Sequence, residues 1–395
     1  AVYNYLGMKV FPEARVEKPY TTFDAVNYLL YAYCVALVRA TFLLDYEGPI
    51  DVRQTLDAVA GAMFHGPLEL GDTMWLDAFL MPEHVVIALS YTWAPKGPFF
   101  GQPGNEDGTK DHPDPEKHYL GIGRRVLGLM LECWPYNEME LDGYAGNKRE
   151  KTFLFWVGTS APLFSRRESV NSPRIVALPT PRAKSQDWMS LFQNYTGDLI
   201  AAATRTAEQQ KMFERCMGTM HLWYGNAHIH IWMMSVVPSY ATRKYDERGW
   251  CKFEKRVGGI ITPSHMALDL GLMEDDLSVY SKGFWFLQPN SFARRCSASR
   301  GLPFVPEEFH EEIGKLRFSL ESDRDVISGL YRKTFDGVIA GAVELNWMAL
   351  GWNFPLRKLV PVLMATRTLE KLNLWGNQLT GAIPRELGQL TRLTK

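Results

Sequence analysis

A chain of 395 residues with 43 basic and 44 acidic side chains has room for two or three domains and is nearly neutral. It lacks the excess of Lys and Arg with which proteins hold nucleic acid or an anionic membrane surface. Hydrophobic residues at 46% and aromatics at 13%, with 12 Trp, allow a sizeable core and exclude global disorder.

The five cysteines, Cys34, Cys133, Cys216, Cys251 and Cys296, are odd in number, widely spaced and form no CxxC pair. That usage fits reduced thiols in a cytoplasmic setting better than a disulfide framework or a zinc knuckle. No leader pattern of basic then apolar residues follows Ala1, and the lack of an initiator Met suggests that residues precede it.

Residues 1–78 read as a helical lead. Thr22 and Asp24 can cap an apolar helix over Ala25–Leu44, and Asp51 can cap a second over Val52–Phe64. The first is the one membrane-span candidate, but Asn27 and Arg39 interrupt it. A central Arg costs roughly 2.5 to 3.5 kcal/mol on insertion scales, so a buried helix is expected and no span.

Residues 79–285 change pattern. Val85 to Leu89 is a short β-branched run of the kind that becomes a strand covered on both faces, and it ends at Ser90-Tyr91-Thr92-Trp93. Ala94 to Lys117 is rich in Gly, Pro, Asp and Asn and reads as a loop before a helix over His118–Cys133. Further on come a strand over Thr152–Val157, a Pro- and Ser-rich stretch from Ala161 to Gln186, a helix over Glu208–Trp223 and a strand over Ala227–Val237. The polar turn Tyr245 to Trp250 then feeds a helix over Cys251–Val257. Alternating strands and helices imply βαβ units and a parallel sheet.

Residues 286–342 are expected to hold a Pro-, Ser- and Arg-rich linker to about residue 306 and then a helix from Pro306 to Gly341. Residues 343–395 carry a repeat: Leu369-x-x-Leu372-x-Leu374-x-x-Asn377-x-Leu379-x-Gly381-x-Ile383-Pro384-x-x-Leu387. This fits the leucine-rich-repeat template of a short strand, an Asn that bonds neighbouring backbone, and a return segment. Leu345-Asn346-Trp347 echoes Leu372-Asn373-Leu374 one repeat upstream, as a degenerate first coil. Roughly three repeats are needed for a stable solenoid. The array stops at Lys395 inside its next repeat, so a fragment of a longer protein is expected.

Four motifs of the α/β region resemble the heterokaryon-incompatibility (HET) domain and its structural relatives, the Toll/interleukin-receptor (TIR) domains. Ser90-Tyr91-x-Trp93 resembles the HET Ser-Tyr-x-Trp-Gly, with Ala94 in place of the Gly. Phe153 to Trp156 supplies the aromatic second strand, but Val157 and Gly158 stand where its terminal acid would fall. Arg205-x-x-Glu208-Gln209 followed by Met220-x-x-Trp223-Tyr224-x-x-Ala227 resembles the third element. Arg248-x-Trp250-x-x-x-Glu254 resembles both the HET Arg-x-Trp box and the TIR Trp-Cys-x-x-Glu box. The tail resembles the leucine-rich repeats of plant receptor-like kinases.

The resemblance implies a flavodoxin-like α/β domain with a parallel sheet, joined to the start of a solenoid. It implies an intracellular signalling or recognition protein whose repeats, through Asn373, Trp375 and Asn377, hold a protein ligand, and whose HET/TIR-like domain self-associates. The alternative it implies is an NAD⁺ glycohydrolase. There Glu254 is the catalytic carboxylate, and Ser90, Tyr91, Trp93, Arg248 and Trp250 surround the nucleotide. A carboxylate held close can stabilise the oxocarbenium-like charge that builds on the ribose. No cofactor is required in either case, NAD⁺ being a substrate. The structural reading is that Glu254 caps its helix or pairs with Arg248 or Lys252, with Trp250 in the core.

Other constellations carry less. His228 and His230 share one side of a strand near His221, but no third ligand of defined geometry is evident, so no metal is expected. Gly121-x-Gly123 has Val126 where a dinucleotide fingerprint needs its third Gly. No phosphate loop or nucleophile elbow occurs, and Cys251 has no partner base in view.

Overall fold

The computed structural model describes residues 2–3, 9–10, 19–31, 36–45, 63–64, 80, 85–91, 118–133, 152–156, 206–239, 243–281, 285–286, 288–316, 318 and 321–394. The first elements are β1 (Val2–Tyr3), β2 (Lys9–Val10), α1 (Asp24–Tyr31), β3 (Leu37–Arg39), α2 (Ala40–Asp45) and β4 (Met63–Phe64). There follow β5 (Val85–Ser90), α3 (His118–Cys133), β6 (Thr152–Trp156), α4 (Ala207–Met217), α5 (His221–Tyr224), β7 (Ile229–Met233), α6 (Gly249–Ile261) and β8 (Ala267–Asp269). The remainder comprises α7 (Phe292–Arg295), α8 (Pro306–Gly314), α9 (Ser322–Phe335), β9 (Glu344–Asn346), α10 (Val360–Met364) and β10 (Lys371–Asn373).

The body is a mixed six-stranded sheet in the order β4-β3-β6-β5-β7-β8. Strands β6, β5, β7 and β8 run parallel, while β3 is antiparallel to both β6 and β4. All six residues of β5 are buried, as its unbroken apolar run requires of a strand covered on both faces. Val86 and Ala88 share one core with α1, α5, α6, α8 and α9, whereas Val85, Ile87 and Leu89 share another with α2, α3 and α7. The helix after β5 therefore lies on one face and the helices after β6 and β7 on the other. Right-handed crossovers that change face must reverse the direction in which strands are added. The chain accordingly starts in the middle, adds β6 on one side and then β7 and β8 on the other.

Local chemistry sets several boundaries. The Thr206 hydroxyl accepts from Gln209 N–H at 3.1 Å while the Gln209 side chain accepts from Thr206 N–H at 3.0 Å, a capping box that starts α4. Pro306 begins α8, where its missing N–H costs nothing. Gly258 lets α6 lie close on β7, since a Cβ there would come within 2.3 Å of Ile231 Cδ1.

Several expectations differ from the structure, and the second lead helix lies mostly outside the described residues. Ala25–Leu44 is not one helix: Leu37–Arg39 leaves the helix to pair with β6 and β4, and α1 and α2 have eight and six residues. An apolar run has the same composition for a buried helix and a buried strand, and sheet pairing decides between them. Among the described residues no helix is long and apolar enough to cross a membrane. Of the second lead helix, only Met63 and Phe64 are described, and they form a strand. The Glu208–Trp223 helix is broken between α4 and α5, where Thr219 Oγ1 donates back to Arg215 O at 2.8 Å. The Pro306–Gly341 helix is likewise two helices, α8 and α9, the second ending in a π-turn at Asp336–Ala340.

The stretch read as a linker is packed. Phe292, Ala293 and Cys296 are fully buried, Ala298 N–H donates to Ala267 O at 2.9 Å, and Asp269 N–H donates to Cys296 O at 2.7 Å. This segment covers the edge of β8 that would otherwise be open to another strand.

At the C-terminal end, β9 and β10 pair in parallel, Lys371 opposite Glu344 at an offset of 27 residues. Asn377 stitches the two turns together. Its Nδ2 donates to Trp347 O at 2.7 Å and Leu374 O at 2.9 Å, and its Oδ1 accepts from Leu350 N–H at 3.0 Å and Trp352 N–H at 3.2 Å. Ala349 and Gly376 occupy corresponding places with φ of 51° and 75°. A residue with a Cβ in that left-handed region is strained, and Gly relieves the strain in the second turn. Trp347 Nε1 donates to Ile260 O at 2.9 Å, so the coil and the α/β body share one core.

Candidate functional site

In an open α/β sheet, ligands bind outside the carboxyl ends of the strands where the winding direction reverses. Here that point lies between β5 and β7. Ser90 ends β5, and Met234 N–H donates to Ser90 O at 2.8 Å, so the two strand ends leave the sheet tied together.

Above this point the sequence motifs converge. Ser90 Oγ donates to Glu254 Oε2 on the second turn of α6, and the same Ser90 oxygen meets the Tyr245 hydroxyl. A hydroxyl carries one proton. With Ser90's proton directed at the carboxylate, Tyr245 is the donor, and the order is Tyr245 to Ser90 to Glu254. Burial, then Cys251 and then Glu254 hold the Tyr245 phenol well above its ordinary range, so it stays protonated and able to donate. The flanking carbonyls are also met: Tyr224 donates to Leu89 O at 2.8 Å and Cys251 Sγ approaches Tyr91 O at 3.5 Å.

Ser90 and Glu254 are both 0% exposed and Tyr91 is 1% exposed. Trp250 is buried as well, and its Nε1 donates to Asp323 Oδ2 of α9 at 3.1 Å. Arg248 is half-buried at the N-cap of α6. Trp93, Val157, Gly158 and Arg205 lie outside the described residues. The structure thus brings Ser90, Tyr91, Trp250 and Glu254 to one end of the sheet. They form a closed packing there, whereas rings lining a nucleotide cleft would face solvent. Lys252, named as a candidate partner of Glu254, pairs with Glu312 of α8 at 2.9 Å.

Sequence reasoning missed Tyr245 and Asp323. The turn containing Tyr245 was visible, but nothing in its spacing announces that the phenol reaches β5. Asp323 lies in a separate helix and carries no motif.

Asp323 titrates near neutrality because burial lifts its pKa from 3.8 to about 6, against the lowering effect of Trp250's hydrogen bond. The folded state then binds this proton more tightly than the unfolded chain. Its contribution to stability is complete below about pH 4 and is lost as pH rises through about 6. Asp323→Asn keeps an acceptor for Trp250 and removes the titration. Denaturant unfolding between pH 4 and 7 is expected to show a slope in the wild type, on the order of 2 to 3 kcal/mol in total, that is flattened in the variant.

Two buried histidines are uncharged. His221 is pulled down to about 4 by burial and then by Lys333, and His230 to about 3 by burial and then by His265, so both are neutral imidazoles. Among the described residues no group of three or more His, Cys, Asp or Glu could hold a metal ion. On the repeat, Asn373 Oδ1 accepts from Trp375 N–H at 3.0 Å and Asn377 is occupied with backbone, whereas Trp375 is 74% exposed.

No protein-family model, no curated protein and no solved structure matches this chain.

Proposed function

We propose that this chain is an intracellular recognition and assembly protein, with an α/β body of the HET/TIR type and a leucine-rich-repeat surface that holds a protein ligand. The observation that carries the reading is Trp375. It stands 74% exposed two residues beyond the end of β10, and Met348, 45% exposed, stands two residues beyond the end of the paired β9. A large indole left in water, on a segment that also carries an exposed thioether, the Glu344–Lys371 pair and Asn373, has the composition of an interface centre with a polar rim.

The second, first, third, fourth order of the parallel strands, with helices on both faces, supports a flavodoxin-like body. The 27-residue parallel register and the Asn377 backbone bonds support a leucine-rich-repeat reading of the tail. Self-association of the body and a cytoplasmic setting belong to the same proposal.

The alternative, NAD⁺ glycohydrolysis by Glu254, draws support from one fact: this carboxylate lies at the carboxyl end of the central strand, where such folds bind ligands. Its burial argues against it. A ribose would have to displace Ser90 and Tyr245 to reach the carboxylate.

The test has two arms. A protein retained by the wild type is purified and titrated against the wild type and Trp375→Ala, with an expected loss of roughly 30-fold in affinity for an anchor worth about 2 kcal/mol. Nicotinamide release from NAD⁺ is followed for the wild type and Glu254→Gln, free and forcibly clustered. Equal binding by Trp375→Ala counts against the repeat surface. Turnover that Glu254→Gln abolishes replaces the assembly reading with the enzyme.

A further inference from the structure

Arg300 lies between the segment that covers the β8 edge, where Ala298 bonds Ala267, and the start of α8. Its Nη1 and Nη2 are both shut off from solvent, and among the described residues neither has a hydrogen-bond partner. Neighbouring arginines differ. Arg256 and Arg332 pair with Glu312 and Glu307, Arg295 with Glu274, and Arg324 with Glu321. Burial alone pulls the Arg300 guanidinium down to about 9, with no charged group contributing.

A sealed cation without a counter-charge costs several kcal/mol even after the protein relaxes. A chain keeps such a group where something outside the chain supplies the charge. The guanidinium fork presents two parallel N–H donors matched to the oxygens of a phosphate or carboxylate. Ser299 and Gly301 on either side are exposed and Arg300 itself is half-buried, so the segment that carries it lies at the surface. The backbone after Arg300 is held in place: a Cβ on Gly301 would fall 1.8 Å from Arg256 Nη1, so the glycine lets the Arg256 guanidinium, paired with Glu312, lie directly against it. Arg256 also donates to Leu302 O at 3.2 Å and stacks 4.3 Å over the Phe304 ring, which fixes it there.

We propose that Arg300 anchors an oxyanion site between the β8 edge and α8, receiving the phosphate or carboxylate of a small ligand bidentately. The site is separate from the Ser90–Glu254 cluster and does not depend on the assembly reading.

The experiment is a thermal melt of the full 395-residue chain in increasing inorganic phosphate, with succinate and chloride at matched ionic strength. The expected result is a saturable rise in Tm of roughly 2 to 4 °C in phosphate and none in chloride. Arg300→Met is expected to melt at or above the wild type without phosphate, because the uncompensated charge is gone, and to show no response. A response to succinate as well assigns the site to oxyanions in general, and phosphate alone assigns it to phosphoryl groups. If Arg300→Met fails to fold, Arg300→Lys serves, its point charge lacking the fork; a weaker response that saturates at higher phosphate is expected. A wild type indifferent to both anions, or a variant with the full response, overturns the proposal.

Discussion

Replacing Trp347 by Ala is expected to lower the unfolding free energy by about 3 to 5 kcal/mol, the range for emptying a buried Trp site. The side chain is fully buried and packs edge-on against Trp352, with ring centroids 5.2 Å apart. Its Nε1 donates to Ile260 O, one of the last carbonyls of α6, which have no partner within the helix. The indole thus fills the junction between the β9–β10 pair and the α/β body and also caps a helix. Trp347→Phe separates these roles: most of the volume stays and the hydrogen bond goes, so a loss of about 1 to 2 kcal/mol is expected. Because coil and body share one core, denaturant unfolding should remain a single transition in both variants. An early separate melting of residues 343–395, seen by hydrogen exchange while the sheet stays protected, would show that the coil is an independent unit.

The parts of this fold that could be read from sequence are those whose signal is local. The β5 run, the α3 helix, and the turn into α6 each carry their own pattern, and the alternation of strand and helix was enough to place the parallel sheet. The Leu-Asn echo reappears as the parallel β9–β10 pair, since both turns use the same backbone path. What could not be read depends on partners distant in sequence. Leu37–Arg39 becomes a strand because β6, more than a hundred residues later, offers an edge. Residues 296–298 look like a linker by composition and are fixed by Ala267 and Asp269. At the site, Ser90 and Glu254 meet in the structure, but spacing in the sequence cannot say whether a carboxylate faces solvent. That depends on Tyr245 closing over Ser90, a contact set by how α6 packs on β5.

This burial gives Glu254 a signature in stability. Glu254→Ala is expected to cost about 2 to 4 kcal/mol, because it opens a cavity under α6 and leaves Ser90 Oγ without its acceptor in a region closed to water. Glu254→Gln keeps a carbonyl oxygen in reach of Ser90 and should stay within about 1 kcal/mol of the wild type. Catalytic carboxylates behave in the opposite sense: active sites hold groups that function needs at some cost to stability, so their removal is commonly neutral or stabilising. Denaturant unfolding of the two variants therefore distinguishes the roles without any substrate. A large loss for Ala with rescue by Gln assigns Glu254 to the tie between α6 and the central strand. An Ala variant as stable as the wild type would mean that the carboxylate contributes nothing to the fold. Its retention at the end of β5 would then be better explained by chemistry than by packing.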